Sequence, residues 1–203
     1  MTRLLTAALG LCLIVSVVVA QDTAKPAPKV AVGTKAPEFK FKDQSGKMID
    51  LAELCAKGPV LVRLTCGCSG CDKELAYFQE IDAAYKKAGL TSVAIFKAPD
   101  AEVAKYAASK KVNMLYGVDA KGSAWTTFQT KTMPTNFLIG KGGEILAIAP
   151  GCDTSGLLAK KLSERIAKTV DAPAVSPRGR SAPGRSCGPG ACGQLPCGRA
   201  PLG

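Results

Sequence analysis

Three cysteines crowd one short run, Cys66-Gly67-Cys68-Ser69-Gly70-Cys71, in a chain of 203 residues that holds nine cysteines and no histidine. The missing histidine removes Ser-His-Asp and Cys-His hydrolysis, His-ligated catalytic zinc or iron, and imidazole general bases. Sulfur chemistry remains. The run follows the apolar stretch Val60-Leu61-Val62 with Leu64, bounded by Gly58-Pro59, and precedes Leu75, Phe78, Ile81 and Tyr85, spaced three to four apart and stopped by Gly89. The first pattern reads as a buried strand and the second as the stripe of an amphipathic helix, so Cys68 and Cys71 fall at a strand-to-helix junction. A helix N-terminus presents unpaired N–H groups and a partial positive charge, which favour a thiolate over a thiol. The spacing also allows the two sulfurs to join. Such a pair can cycle: a Cys68 thiolate attacks a partner's disulfide, and Cys71 resolves the mixed disulfide by attacking Cys68.

The surrounding residues bear on that chemistry. Asp72 and Glu74 in the first turn suit the helix dipole but oppose a thiolate, and Arg63 on the preceding strand offsets them if it points the same way. Far downstream, Met133-Pro134-Thr135 precedes the apolar run Asn136 to Ile139. A proline there donates nothing to a sheet ladder, and a cis bond would give the chain a sharp entry; an ordinary loop-ending proline is the alternative. Ser92 to Phe96 and Met114 to Val118 read as further strands, with a helix over Val103, Tyr106 and Ala107 between them and a short helical or irregular piece around Trp125 after them. Asn136 to Ile139 and Ile145 to Ala149 flank Lys141-Gly142-Gly143 as a hairpin, and Leu158, Leu162, Ile166 and Val170 mark a last helix. Alternating strands and helices indicate an α/β sandwich with a central mixed β-sheet flanked by helices.

The chain ends have different characters. Residues 1–20 carry Arg3, an apolar run and a terminal Val-Val-Ala, the layout of a secretory signal peptide cleaved after Ala20, with an uncleaved N-terminal anchor as the alternative. Residues 21–32 read as a linker. Residues 171–203 contain 7 Gly, 6 Pro, four arginines and Cys187, Cys192 and Cys197. A stretch of that composition buries too little apolar surface to offset its ordering entropy and is expected to be disordered. The domain is then residues 33–170, where 18 Lys and 2 Arg face 14 acids.

Taken in order along the chain, these motifs resemble the thioredoxin fold, and specifically exported redoxins of the TlpA-like and AhpC/TSA-like branch. The resemblance spans residues 32–150. It rests on Val32-Gly33-Thr34-Lys35-Ala36-Pro37-Glu38-Phe39, Asp43-Gln44-Ser45-Gly46-Lys47, Val60-Leu61-Val62, Cys68-Ser69-Gly70-Cys71, Met133-Pro134-Thr135 and Gly143-Glu144-Ile145. It implies a thioredoxin-like three-layer sandwich, Cys68 as attacking thiol, Cys71 as resolving thiol, and Pro134 as a cis-proline loop whose Met133 backbone pairs with a substrate strand. It implies no cofactor beyond a redox-active Cys68–Cys71 disulfide. The chain departs from the family in having Gly67 where a tryptophan is usual, Gly70 where a proline is usual, a segment about one residue short before the motif, and the additional Cys66, which can compete as nucleophile or resolving thiol.

The expectation is an exported thiol–disulfide oxidoreductase, periplasmic or extracellular, that acts on protein thiols and disulfides and draws on an upstream redox partner. The N-terminal segment or basic tail offers contact with a membrane or envelope, and nucleic acid is not an expected partner. Three rivals use the same residues. A peroxiredoxin-like peroxidase would read Thr65-x-x-Cys68 as its motif, but wants a downstream arginine, and none lies between Arg63 and Arg165. A thiolate module for copper or zinc would use Cys66, Cys68 and Cys71, with Cys55, Cys152 or the tail cysteines nearby. A redoxin fold kept for binding would turn nothing over. Cys55 reads as a small buried residue in a loop, and Cys152 as a resolving partner or a structural residue.

Overall fold

A computed structural model describes residues 29–179. Along the chain come β1 (Lys40–Asp43), β2 (Met48–Asp50), α1 (Leu51–Lys57), β3 (Val60–Thr65), α2 (Ser69–Tyr85), β4 (Thr91–Phe96), α3 (Asp100–Lys110), β5 (Leu115–Val118), α4 (Ser123–Thr127), β6 (Thr135–Ile139), β7 (Ile145–Pro150) and α5 (Leu157–Thr169). The strands form one sheet in the order β2-β1-β5-β4-β3-β6-β7. β3 and β4 run parallel, as do β4 and β5, whereas β6 runs antiparallel to β3 and to β7. The expected α/β sandwich with a central mixed sheet is what the chain forms.

β3 is central and buried along its whole length. Side chains alternate across a strand, so Val60, Val62 and Leu64 join the core layer with Leu51, Cys55 and Trp125 on one face. Leu61 joins Leu75, Phe78 and Ile81 of α2 and Leu162 and Ile166 of α5 on the other. Arg63 and Thr65 share the parity of Leu61 and face α2. That parity puts a charged side chain and a hydroxyl beneath the helix that starts at the cysteine run.

Several expectations need correcting. Cys55 lies in α1 rather than a loop; Asp50 starts that helix by accepting the Ala52 N–H at 2.9 Å, and the Cys55 side chain is buried. The β1–β2 hairpin and α1 escape periodicity because they are only three to seven residues long. Their turn is local: Asp43 Oδ1 accepts the N–H groups of Ser45 and Lys47. The boundary at residue 170 also moves. Residues 171–179 are fastened to the domain by a closed hydrogen-bond ring: the Val175 N–H donates to Tyr85 Oη (2.8 Å), Tyr85 donates to Ser163 Oγ (2.8 Å), and Ser163 donates to the Val175 carbonyl. The Arg178 N–H adds a bond to Glu80 at 2.7 Å. At the other end, residues 29–32 reach the domain through the Val30 N–H on Gln129. The expected signal segment, most of the linker, and the tail from residue 180 with its three cysteines lie outside the described residues.

Tyr85→Phe opens the ring and strips the Val175 N–H and Ser163 of their partner. The expected cost is about 1–3 kcal/mol. It is read as a lower denaturant midpoint together with faster amide exchange at Val175; an unchanged midpoint and unchanged exchange would show that residues 171–179 are held some other way.

Candidate active site

The chain leaves β3 at Thr65 and turns through Cys66 and Gly67, whose φ of 70° favours glycine. Cys68 takes the N-cap position of α2 in extended conformation, its carbonyl accepting the Asp72 N–H at 2.8 Å. Cys68 is exposed and Cys71, one turn into the helix, is buried. No disulfide joins them, and their Sγ atoms are 3.6 Å apart. The turn at Gly67 folds Cys66 back so that its Sγ lies 3.7 Å from that of Cys71. All three sulfurs fall within 4.8 Å of one another.

The two helical sulfurs ionise very differently. Thiol contacts from Cys66 and Cys71, and the Cys71 and Gly70 N–H groups, hold Cys68 far below the usual thiol range against the cost of partial burial. For Cys71, contact with Cys66 pulls down, but donation toward the Cys68 sulfur and burial outweigh it and push the thiol up. The Thr65 hydroxyl faces Cys71. The fold thus favours ionisation of the exposed sulfur and opposes it at the buried one.

Arg63 shows what the strand parity decides. The side chain is 2% exposed. Its guanidinium pairs with Glu74 at 2.9 Å, donates to Asn136 Oδ1 at 3.0 Å and to the Cys71 carbonyl at 3.2 Å, and lies over the Phe78 ring at 4.3 Å. Glu74 accepts the Asp153 N–H with its other oxygen at 2.6 Å. Only Asp72 lies in the first turn of α2; Glu74, expected there with it, falls in the second, and it is Glu74 that Arg63 meets. Asp72 is answered instead by Lys110 (2.8 Å) and by the Tyr106 hydroxyl (3.1 Å).

On the neighbouring strand Leu64 pairs with Thr135. Continuing that register sets the buried Pro134 opposite Thr65 and Met133 opposite Cys66. The Met133–Pro134 bond is cis, and the Pro134 carbonyl accepts the Gly151 N–H at 2.8 Å. Cys152 follows, its thiol donating to the Gly70 carbonyl between the two helical cysteines at 3.2 Å. The fold therefore gathers Arg63, Thr65, Cys66, Cys68, Cys71, Met133 and Pro134 at one end of β3. It leaves Cys55 on the opposite face of the sheet. Sequence spacing did not reveal Asn136, the tie from Glu74 to Asp153, or Tyr106; the only available signal was the shared parity of Leu61 and Arg63.

The AhpC/TSA family model matches residues 32–148. The chain belongs to the AhpC/TSA family. It is 29% identical over 138 residues to the thiol-disulfide oxidoreductase ResA of Bacillus thuringiensis subsp. konkukian, covering 67% of this chain and 79% of the relative. Among solved structures it resembles a Chlorobium tepidum protein assigned as a thiol:disulfide interchange protein DsbE, with a TM-score of 0.64, 23% identity, and coverage of 70% of this chain and 99% of that one. It also resembles peroxidoxin BcpB of Mycobacterium tuberculosis, with a TM-score of 0.57, 22% identity, and coverage of 69% and 96%. The expected enzyme class, a thiol–disulfide oxidoreductase of the redoxin kind, stands with its AhpC/TSA relatives. Because interchange proteins and a peroxidoxin share the fold, the choice between their chemistries rests on the site.

Two outcomes follow from the geometry. Arg63→Met leaves Glu74 buried without its cation and should cost about 3–5 kcal/mol, much of it recovered in Arg63→Met/Glu74→Gln, which still accepts the Asp153 N–H; denaturant melts compare the three proteins, and a neutral single variant would remove the pair from its structural role. Alkylation of the reduced protein, mapped by peptide mass, should label Cys68 at nearly the same rate from pH 8 down to pH 6, because its thiolate persists below the ordinary thiol range. Labelling of Cys71 should rise only toward alkaline pH. The reverse order would contradict the division of labour between the two sulfurs.

Proposed function

We propose that this AhpC/TSA-family chain is exported and exchanges disulfides with protein partners through Cys68 and Cys71. The observation that carries the reading is the asymmetric pair at the start of α2: an exposed sulfur held as thiolate, 3.6 Å from a buried sulfur held as thiol. In the reducing direction the Cys68 thiolate attacks one sulfur of a partner disulfide, forming a mixed disulfide and releasing the partner's first thiolate. Cys71 then gives up its proton and attacks the Cys68 sulfur. The Cys68–Cys71 disulfide forms, the second partner thiolate leaves, and the partner has gained two electrons. An upstream dithiol protein restores the pair. Run backwards, the same steps oxidise a partner.

Other residues take supporting places in this reading. Met133 and Pro134 line the approach to the sulfurs, so an extended partner segment can lie along that edge with Met133 backbone as its hydrogen-bond partner. Arg63 acts through position, because its donors are spent on Asn136, Glu74 and the Cys71 carbonyl. That arrangement weighs against peroxide chemistry, which needs a cation at the reacting sulfur. The Thr65 hydroxyl is engaged with Cys71, which also weakens the Thr-x-x-Cys reading. Export rests on the layout of residues 1–20, as a cleaved leader or a retained anchor; among the described residues no helix is long and apolar enough to cross a membrane.

Cys68→Ser should abolish reduction of a protein disulfide such as insulin, whereas Cys71→Ser should accumulate a mixed disulfide visible on non-reducing gels. Retained turnover in Cys68→Ser would transfer the attack to Cys66 and overturn the assignment.

A further inference from the structure

Disulfide exchange by two cysteines uses the third sulfur of the cluster only as a neighbour of Cys68 and gives it no bond to make. Cys66 could in principle relay the disulfide, but the shape of the cluster argues otherwise. With sides of 3.6 and 3.7 Å meeting at Cys71 and the third side no longer than 4.8 Å, the sulfurs stand at the corners of a compact triangle. Attack on a disulfide sulfur is in-line with the bond being broken, and a triangle offers no such line. A triangle does suit a common ligand. Metal–thiolate bonds of about 2.3 Å set sulfurs ~3.8 Å apart around a tetrahedral ion and ~4.0 Å apart around a trigonal one. Two sides already lie near these values.

We propose that the fully reduced protein binds one Cu(I) ion between Cys66, Cys68 and Cys71 in three-coordinate thiolate geometry. The donor set selects the ion. The chain contains no histidine, and the nearby carboxylates are engaged: Asp72 by Lys110 and Tyr106, Glu74 by Arg63 and the Asp153 N–H. Three thiolates without nitrogen or oxygen donors favour a soft ion that accepts low coordination. Zinc would require a fourth ligand, and Cys152, the next sulfur, donates to the Gly70 carbonyl and does not belong to the three-sulfur group. Entry is open at the exposed Cys68, and Gly67 precedes it in the turn, where the chain can adjust to bring Cys66 and Cys68 to a common ion. Binding forms three Cu–S bonds, displaces the thiol protons, and takes Cu(I) from a soft carrier ligand without change of oxidation state. The ion and the Cys68–Cys71 disulfide need the same two sulfurs and exclude each other.

The test is an anaerobic competition of the reduced full chain against Cu(I)–bicinchoninate. One equivalent should bind, and X-ray absorption should show sulfur-only coordination. Cys66→Ser should weaken affinity by about 100-fold or more, whereas Cys66→Met, which returns a soft thioether, should recover part of the loss. Thermal melts of both variants separate lost binding from lost fold. Cys152→Ser, and a variant with Cys187, Cys192 and Cys197 all changed to Ser, should keep the tight equivalent. Binding that survives Cys66→Ser, disappears with the tail cysteines, or requires Cys152 overturns the proposal. Insulin reduction measured without copper reports separately on disulfide exchange, so failure of one reading is distinguishable from failure of the other.

Discussion

A guanidinium cut off from water must be answered on every side, and Arg63 imposes that demand at the centre of the sheet. Removing an unpaired charge from water costs far more than any single contact returns, so its partners have to be in place together. They come from separate parts of the chain: Asn136 from β6, Glu74 and the Cys71 carbonyl from α2, and the Phe78 ring beneath. Glu74 passes the constraint on through the Asp153 N–H, and Asp153 accepts the Leu158 N–H at the start of α5. One ion pair thereby sets the position of the first turn of α2, the loop carrying Cys152, and the beginning of the last helix. The cysteines inherit their geometry from that frame.

The parts of the site legible in the sequence are those governed by neighbours along the chain. Cys68 and Cys71 declare themselves because an apolar run stops just before them and a helical stripe starts just after. Pro134 does so because it precedes a strand. The direction of Arg63 is different. A strand buried on both faces reads as one apolar run, so periodicity does not say which face carries Leu61 and Arg63 until α2 is packed on one of them. The hidden role of Glu74 follows from the same gap. Cys66 is visible as an extra cysteine, but its proximity to Cys71 depends on the left-handed turn at Gly67. Composition misjudges residues 171–179 for a related reason: Gly, Pro and Ser report on what a segment can bury by itself, whereas this segment is held by Tyr85, Ser163 and Glu80.

Three like residues within six positions behave as three different groups because the fold gives each a different number of donors and a different share of water. Cys68 has thiol and N–H donors on one side and solvent on the other. Cys71 has the sheet, the Thr65 hydroxyl and little water. The low ionisation of Cys68 depends on its neighbours remaining protonated, since a second thiolate in the triangle would meet the field of the first. The three sulfurs therefore carry one negative charge easily and a second only at a cost.

That limit separates the two uses of the cluster. Disulfide exchange works within it: the single negative charge sits on the attacking sulfur, and Cys71 loses its proton only as a bond to Cys68 forms. A thiophilic cation removes the limit, because it neutralises part of the charge as the remaining protons leave and so allows all three sulfurs to be thiolates together. Both uses converge on Cys71, the buried corner common to the two short sides of the triangle. Whichever bond Cys71 makes, to Cys68 or to an ion, removes the condition the other requires, so the redox state of the pair and the occupancy of the triangle are linked through one sulfur.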